Sequence, residues 1–354
     1  SQGNADAQTL LGSIYFIGRG VAKDYTQAVK LYRKAAAQGD ADAQTILGLM
    51  YANGQGVAKD YAQAVKWWRQ AAGQGVADAQ YNLGVMYENG LGVRRDYRQA
   101  VKWWRKAASQ GFAKAQSNLG VMYEKGQGVP QDYAQAVKWY RKAAGQGYAL
   151  AQNDLGFMYE KGQGVAKDYA QAVKWFREAA GQGNAQGQYN LGLMYYNGQG
   201  VPTDYVQAYS WFLLAAGQGV ALAQSNLGLM YEKGQGVRRD YAQAVKWFRQ
   251  AAEQGLARAQ YNLGLMYQNG LGVRRDYRQA VKWYRQAASR GFAGAQNNLG
   301  LMYAKGRGVP TDYTRAYSWF LLAAAKGEVN AVKSRDFVAK SMTPAQIAEG
   351  QKMA

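Results

Sequence analysis

A 36-residue period runs through the whole chain and restricts it to repeat architectures. A Leu-Gly pair recurs at this spacing, with its glycine at Gly12, Gly48, Gly84, Gly120, Gly156, Gly192, Gly228, Gly264 and Gly300. An Asp-Tyr pair and an Ala-Ala pair recur in phase with it. A unit this short cannot bury its own apolar side chains, so neighbouring units must stack. We therefore expect nine stacked units instead of separate globular domains.

Each unit contains two amphipathic helix patterns. In the third unit, Ala79, Leu83 and Tyr87 are spaced i, i+4, i+8 and form one apolar stripe. The second pattern places Trp103 and Trp104 on one side and lysine and arginine on the other. Because a tryptophan recurs at the position of Trp103 in every later unit, we expect it to fill the core. The fold class predicted is an all-α solenoid of two-helix repeats.

Helix boundaries are also visible in the sequence. Asp60 followed three residues later by Gln63 is typical of a capping box, and glycine-rich loops such as NGQGV end the first helix of each unit. Near the C-terminus, Thr343, Pro344 and Gln346 predict the N-cap, N1 and N3 residues of a last helix. We expect nine repeats over residues 1–327, then a degenerate repeat and a capping helix over residues 328–354.

Composition excludes much common chemistry. The 354 residues include no cysteine and no histidine, which removes disulfides, thiolate nucleophiles, imidazole bases and the usual zinc and haem ligands. The glycine-rich loops lack the GxxxxGK[ST] pattern of a phosphate-binding loop. No stretch approaches the roughly 20 apolar residues of a membrane span. We therefore expect a protein that is not an enzyme, with no catalytic residue, metal or cofactor and no membrane span.

A formal net charge of +20 suggests nucleic acid or another anionic polymer as an alternative partner. However, 17 of the 43 basic residues lie on the polar side of seven second helices, in register with the repeat. This placement favours a solubilising outer face over a nucleic-acid site. Three Arg-Arg pairs in the loops remain candidates for binding acidic groups: Arg94-Arg95, Arg238-Arg239 and Arg274-Arg275.

The recurring motifs A-x-A-Q-x-x-L-G-x-M-Y, G-x-G-V, D-Y-x-Q-A and K-W-x-x-x-A-A resemble Sel1-like repeats, relatives of the tetratricopeptide repeat. The resemblance implies a right-handed α/α superhelix whose first helices line a concave face. It also implies an adaptor or scaffold role in signalling or in bacterial contact with hosts, in the periplasm or outside the cell. It implies no single ligand.

Residues around the Leu-Gly pair are the candidate binding surface. In tetratricopeptide repeats, an asparagine just before Leu-Gly lies on the concave wall and can bond a peptide backbone, for which an amide offers both donor and acceptor. The candidates are Tyr81, Asn82, Asn118, Lys125, Lys161, Tyr189, Asn190, Asn226, Lys233, Tyr261, Asn262 and Asn298. We expect a monomer that binds another protein or an extended, acidic peptide. The alternative is that the asparagines bond within the repeat or to water.

Overall fold

The computed structural model describes residues 3–354, and within them it contains twenty α-helices and no β-strand. They are α1 (Ala5–Ile17), α2 (Tyr25–Ala37), α3 (Ala41–Asn53), α4 (Tyr61–Gly73), α5 (Ala77–Asn89), α6 (Tyr97–Ser109), α7 (Ala113–Lys125), α8 (Tyr133–Gly145), α9 (Ala149–Lys161), α10 (Tyr169–Gly181), α11 (Ala185–Asn197), α12 (Tyr205–Gly217), α13 (Ala221–Lys233), α14 (Tyr241–Glu253), α15 (Ala257–Asn269), α16 (Tyr277–Ser289), α17 (Ala293–Lys305), α18 (Tyr313–Ala324), α19 (Val329–Ala339) and α20 (Pro344–Met353). None of the described helices is long and apolar enough to cross a membrane.

The helices form two compact units. The N-terminal unit contains α1–α10 and extends to Gln182, and the C-terminal unit, Gly183–Ala354, contains α11–α20. From α1 to α18, each odd-numbered helix and the next helix form an antiparallel pair, and within each unit each pair packs against the following one. Helices α19 and α20 instead both pack on α18. The predicted all-α repeat solenoid is confirmed.

A glycine and an aromatic ring form the centre of every helix pair. A Cβ placed on Gly192 in α11 would lie 2.7 Å from Cδ1 of Phe212 in α12, closer than real Cβ contacts. The Leu-Gly glycine is therefore required because the aromatic ring occupies the space of a side chain. The corresponding rings are all 0–2% exposed: Tyr32, Trp68, Trp104, Tyr140, Phe176, Phe212, Phe248, Tyr284 and Phe320.

In every repeat after the first, a repeating tryptophan stands one residue before these buried rings. It was expected to fill the core, but Trp139 lies at the edge of the core. Trp139 is only half-buried and packs on the edge of the core formed by α6 and α7, while its neighbour Tyr140 is 0% exposed. Lys142 Nζ lies 4.7 Å from the centroid of the Trp139 ring, on its outer side. Trp139 thus packs between adjacent helix pairs, and Tyr140 fills the core. The equivalent Trp283 is itself buried, at 8% exposed.

Buried glutamines connect the repeats. The Gln80 side chain is 3% exposed; its Nε2 donates to the Ala72 carbonyl at 3.2 Å, and its Oε1 accepts from Gln110 Nε2 at 2.9 Å. Burying this amide costs little because both of its ends are bonded. The same glutamine pair recurs as Gln38–Gln8, Gln74–Gln44, Gln146–Gln116, Gln182–Gln152, Gln218–Gln188 and Gln254–Gln224.

Part of the basic outer face also connects the repeats. Arg69 of α4 donates from Nη2 to Tyr87 Oη of α5 at 2.9 Å, with its guanidinium 6.0 Å from the ring centroid. Equivalent pairs are Arg33–Tyr51, Arg105–Tyr123, Arg141–Tyr159, Arg249–Tyr267 and Arg285–Tyr303. These arginines are therefore not only a solubilising stripe, because each also bonds the next repeat.

The predicted helix starts are confirmed, with one difference. Asp60 Oδ1 accepts from Gln63 N at 3.0 Å, but the Asp60 backbone N–H donates to the Tyr51 carbonyl at 2.9 Å instead of to the glutamine side chain. At α20 the complete capping box is present, since Thr343 Oγ1 accepts from Gln346 N and Gln346 Oε1 accepts from Thr343 N. The glutamine of the repeat is thus not needed as a reciprocal cap.

Candidate functional site

First helices of four successive pairs line a groove of about 490 Å³ in the N-terminal unit. Residues of α1, α3, α5 and α7 contribute to it, together with the residues that precede α5 and α7. We call it the N-terminal groove; it is lined by Thr9, Ser13, Asp42, Thr45, Ile46, Leu49, Val76, Asp78, Tyr81, Asn82, Phe112 and Lys114. Its volume is within the range of pockets that hold small ligands or side chains.

The repeat sequence explains how these side chains reach the groove. In α3, α5 and α7, the alanine and glutamine that end A-x-A-Q are buried, and the variable residue between the two alanines is exposed. Asp42, Asp78 and Lys114 are the variable residues of three successive repeats. Leu49 lies two turns after Asp42 on the same helix and is 42% exposed. The groove therefore combines an exposed apolar surface with charges that change from one repeat to the next.

Two predicted residues, Tyr81 and Asn82, lie in this groove. Tyr81 is half-buried, and its ring centroid is 5.3 Å from that of Phe112. Burial raises the pKa of Tyr81, and Tyr148 raises it further, while a hydrogen bond with Asn118 lowers it. The tyrosine is thus a fixed aromatic wall whose hydroxyl is bonded to the next repeat, and Asn82 beside it is partly open to solvent.

In the C-terminal unit the other predicted tyrosines also pair with asparagines of the next repeat. Tyr189 bonds Asn226, and Tyr261 bonds Asn298; in both cases burial raises the tyrosine pKa and the asparagine lowers it. Tyr189 is 9% exposed, and the Tyr261 ring centroid is 5.0 Å from that of Phe292. These tyrosines and asparagines therefore have hydrogen-bond partners within the fold.

The remaining predicted residues differ in exposure. Asn190 and Asn262 are each 9% exposed, and Asn190 Oδ1 accepts from Gln186 Nε2 at 3.1 Å. The three lysines are exposed at the C-terminal ends of their helices and do not line the N-terminal groove: Lys125, Lys161 and Lys233. Lys161 Nζ lies 2.7 Å from Glu160 Oε1. The asparagine series is therefore not uniformly accessible.

Asp154 replaces asparagine in this series and has an unusual environment. Burial raises the pKa of Asp154 to about 6; a hydrogen bond from Asn153 opposes this shift, and the Glu124 carboxylate adds to it. Tyr140 Oη donates to Glu124 Oε2 at 2.6 Å. The structure thus brings together two carboxyl groups 30 positions apart that sequence reasoning did not connect. Among residues 3–354, no cluster of three or more acidic side chains could hold a metal ion.

Sequence reasoning missed the apolar and acidic residues of the N-terminal groove. Ile46 and Leu49 belong to its apolar lining, and Asp42 and Asp78 supply negative charge. A signal for Asp42 and Asp78 was present, because the second residue of A-x-A-Q differs widely between repeats, while its neighbours are alanine at every copy except Gly187. That variation is typical of a surface position that the fold does not require.

Comparison with known proteins identifies the repeat. The Sel1 repeat model matches nine consecutive segments, residues 5–40, 41–76, 77–112, 113–148, 149–184, 185–220, 221–256, 257–292 and 293–328. The structure of c5321, a protective antigen present in uropathogenic Escherichia coli strains and displaying an SLR fold, is 36% identical; the match covers 99% of this chain and 91% of that one, with a TM-score of 0.62. A Sel1 repeat protein from Oxalobacter formigenes is 38% identical, with 85% and 87% coverage and a TM-score of 0.66. No curated protein matches the chain.

Proposed function

The chain belongs to the Sel1 repeat family, whose members are generally protein–protein interaction scaffolds, and we propose that its N-terminal groove binds an extended peptide segment of a partner protein. The observation that carries this proposal is the groove itself, in which four first helices present apolar and charged side chains on one surface. Helical repeats commonly use such extended inner surfaces for binding.

The lining residues define the chemistry of the peptide. Ile46, Leu49 and the Phe112 ring offer a surface for an apolar side chain. Asp42 and Asp78 outnumber the single basic residue, Lys114, so the groove carries net negative charge. A peptide with an apolar residue close to a lysine or arginine fits this combination. This differs from the acidic peptide expected from Lys125, Lys161 and Lys233, which lie outside the groove.

The groove supports binding better than catalysis. It contains hydroxyl groups and carboxylates but no histidine or cysteine, because the chain has none. The family is generally non-catalytic. A scaffold without enzymatic activity is therefore the function that we propose.

Selection from a random peptide library, with affinity measured for synthetic versions of the selected peptides, tests the proposal. We expect selected peptides to pair an apolar residue with a basic one. Leu49→Glu places a charge in the groove at a position already 42% exposed, and it should weaken binding about tenfold, or about 1.4 kcal/mol. Leu222→Glu is the matched control, since Leu222 is 46% exposed and lies in the C-terminal unit.

Asp78→Asn should weaken binding of the basic peptides and reduce its salt dependence, because it removes one attractive charge. Equal losses for the Leu49 and Leu222 variants, or selected peptides without a shared apolar-basic pattern, would contradict the proposed groove.

A further inference from the structure

The segment Val-Arg-Arg-Asp-Tyr-Arg occurs twice, at residues 93–98 and 273–278, and each copy lines a pocket. The first pocket, in the N-terminal unit, has a volume of about 600 Å³ and is lined by Arg69, Tyr87, Val93, Arg94, Arg95, Asp96, Tyr97, Arg98 and Gly128. The second, in the C-terminal unit, has about 690 Å³ and is lined by Tyr267, Val273, Arg274, Arg275, Asp276, Tyr277, Arg278 and Gly308. We propose that both are binding sites for a phosphate dianion or phosphate monoester.

Positive charge in the pockets is not neutralised by the protein. Arg94, Arg95 and Arg98 are exposed, and Asp96 is the only acidic residue among the lining residues of the first pocket. The described part of the chain contains three ion pairs within 4.0 Å, and none of them includes an arginine of either pocket. Each pocket is thus lined by three or more arginines and by one carboxylate, that of Asp96 or Asp276.

The single carboxylate of each pocket has a structural task. Asp96 Oδ1 accepts from Gln99 N at 3.1 Å, as the N-cap of α6. Asp276 Oδ1 accepts from the backbone N–H groups of Arg278 and Gln279 at 2.8 and 3.0 Å, as the N-cap of α16. Because the aspartate already occupies the helix N-terminus, an anion in the pocket would be held by the arginine side chains.

Aromatic rings hold some of these arginines in place. The guanidinium carbon of Arg95 is 5.7 Å from the Tyr97 ring centroid, and that of Arg275 is 5.7 Å from the Tyr277 centroid. Arg69 is held at the first pocket by its 2.9 Å bond to Tyr87. Side chains that are already positioned lose less conformational entropy when a ligand binds.

Phosphate fits this arrangement better than a single carboxylate does. A guanidinium group donates two parallel hydrogen bonds to phosphate oxygens, and a dianion offers enough oxygens for more than one arginine. The pocket volumes leave room for a small organic group attached to the phosphate. This inference does not depend on the peptide groove, which has other residues and opposite net charge.

A third copy of the loop provides an internal control. In the seventh repeat the segment reads Val-Arg-Arg-Asp-Tyr-Ala, so Arg238 and Arg239 are present but Ala242 replaces the third arginine. Removing this pair changes the total charge by as much as removing Arg94 and Arg95. Conversely, Ala242→Arg restores the full segment at an exposed position.

Calorimetric titration with inorganic phosphate, at ionic strength held constant with sodium chloride, tests the inference. We expect two sites per chain in the wild type, one after R94Q/R95Q and three after A242R. R238Q/R239Q should retain two sites of unchanged affinity. Phosphoserine serves as a second probe: tighter binding than phosphate identifies a monoester site, and equal binding identifies a site for free phosphate.

Two results would overturn the proposal. The first is no measurable phosphate binding by the wild type in samples whose melting curves show a folded protein. The second is an equal loss of binding in R94Q/R95Q and R238Q/R239Q, which would indicate general attraction to a basic protein instead of a defined pocket.

Discussion

Helices α12 and α18 contain the same nine residues, Ala-Tyr-Ser-Trp-Phe-Leu-Leu-Ala-Ala, at residues 208–216 and 316–324, yet they bury different side chains. In α12, Tyr209 is half-buried and Ser210 is exposed. In α18, the equivalent Tyr317 is 7% exposed and Ser318 is 4% exposed. Identical local sequence has therefore produced two different surfaces.

The neighbours of the two helices account for the difference. After α12 a regular repeat follows, and Tyr209 Oη lies 2.8 Å from Tyr231 Oη of α13 in a hydrogen bond. After α18 come α19 and α20, and α20 packs on α18 so closely that a Cβ at Gly350 would be 2.9 Å from Tyr317 Cδ1. Helix α20 thus covers a surface that α12 leaves partly open.

Among the variants that distinguish α18 from α12, Gly350→Leu should have the largest effect on stability. The added side chain would meet the Tyr317 ring and move α20 away from α18, at a cost of about 1–3 kcal/mol. Gly217→Leu at the end of α12 is the control, because no atom lies within 4 Å of a Cβ there. Urea unfolding of both variants measures the effect. Equal costs would mean that the contact between α20 and α18 does not stabilise the chain.

Leu213 of α12 and Leu321 of α18 stand where most repeats have an arginine. Replacing each leucine by arginine should change stability less than Gly350→Leu does. Leu321 of α18 is half-buried against the terminal core, so Leu321→Arg should cost about 1 kcal/mol in lost burial. Leu213 of α12 is 39% exposed, and Leu213→Arg should change stability by less than about 0.5 kcal/mol. Thermal melts of the two variants compare them directly. A larger loss for the α12 variant would reverse the comparison.

The smallest expected effect concerns the hydrogen bond between the hydroxyl groups of Tyr209 in α12 and Tyr231 in α13. Burial raises the pKa of Tyr231 to about 12, and the hydrogen bond with Tyr209 contributes to this shift. Because the folded protein favours the protonated phenol, this contribution to stability is lost as pH rises towards 12. Tyr209→Phe should lower the Tyr231 pKa and cost about 1 kcal/mol near neutral pH.

Ultraviolet titration of the phenols measures this pKa, and Tyr317→Phe in α18 is the control, which should leave the Tyr231 pKa unchanged. A Tyr231 titration that is the same in wild type and Tyr209→Phe would show that the hydroxyl pair does not form in solution.

At the candidate site, too, the sequence did not show which residues of neighbouring repeats come into contact. The asparagines before Leu-Gly were predicted to bind a peptide, and in the structure Asn118, Asn226 and Asn298 also bond tyrosines of the preceding repeat. Tyr81 and Asn82, both predicted binding residues, lie together in the N-terminal groove, since adjacent residues on one helix stay close in any packing. Leu49 could not be placed beside Tyr81 from sequence, because they belong to different repeats.

The sequence by itself determined the 36-residue unit, the all-α class, the start of each second helix at its aspartate and the complete cap of α20. These features depend on side-chain periodicity and on hydrogen bonds within a few residues, which are local. Only the tertiary structure decided that Tyr140 and not Trp139 fills the core, that outer arginines bond the next repeat, and that α18 is covered where α12 is not. Burial depends on which neighbouring helix arrives from tens of residues away, and a nine-residue sequence carries no information about that neighbour.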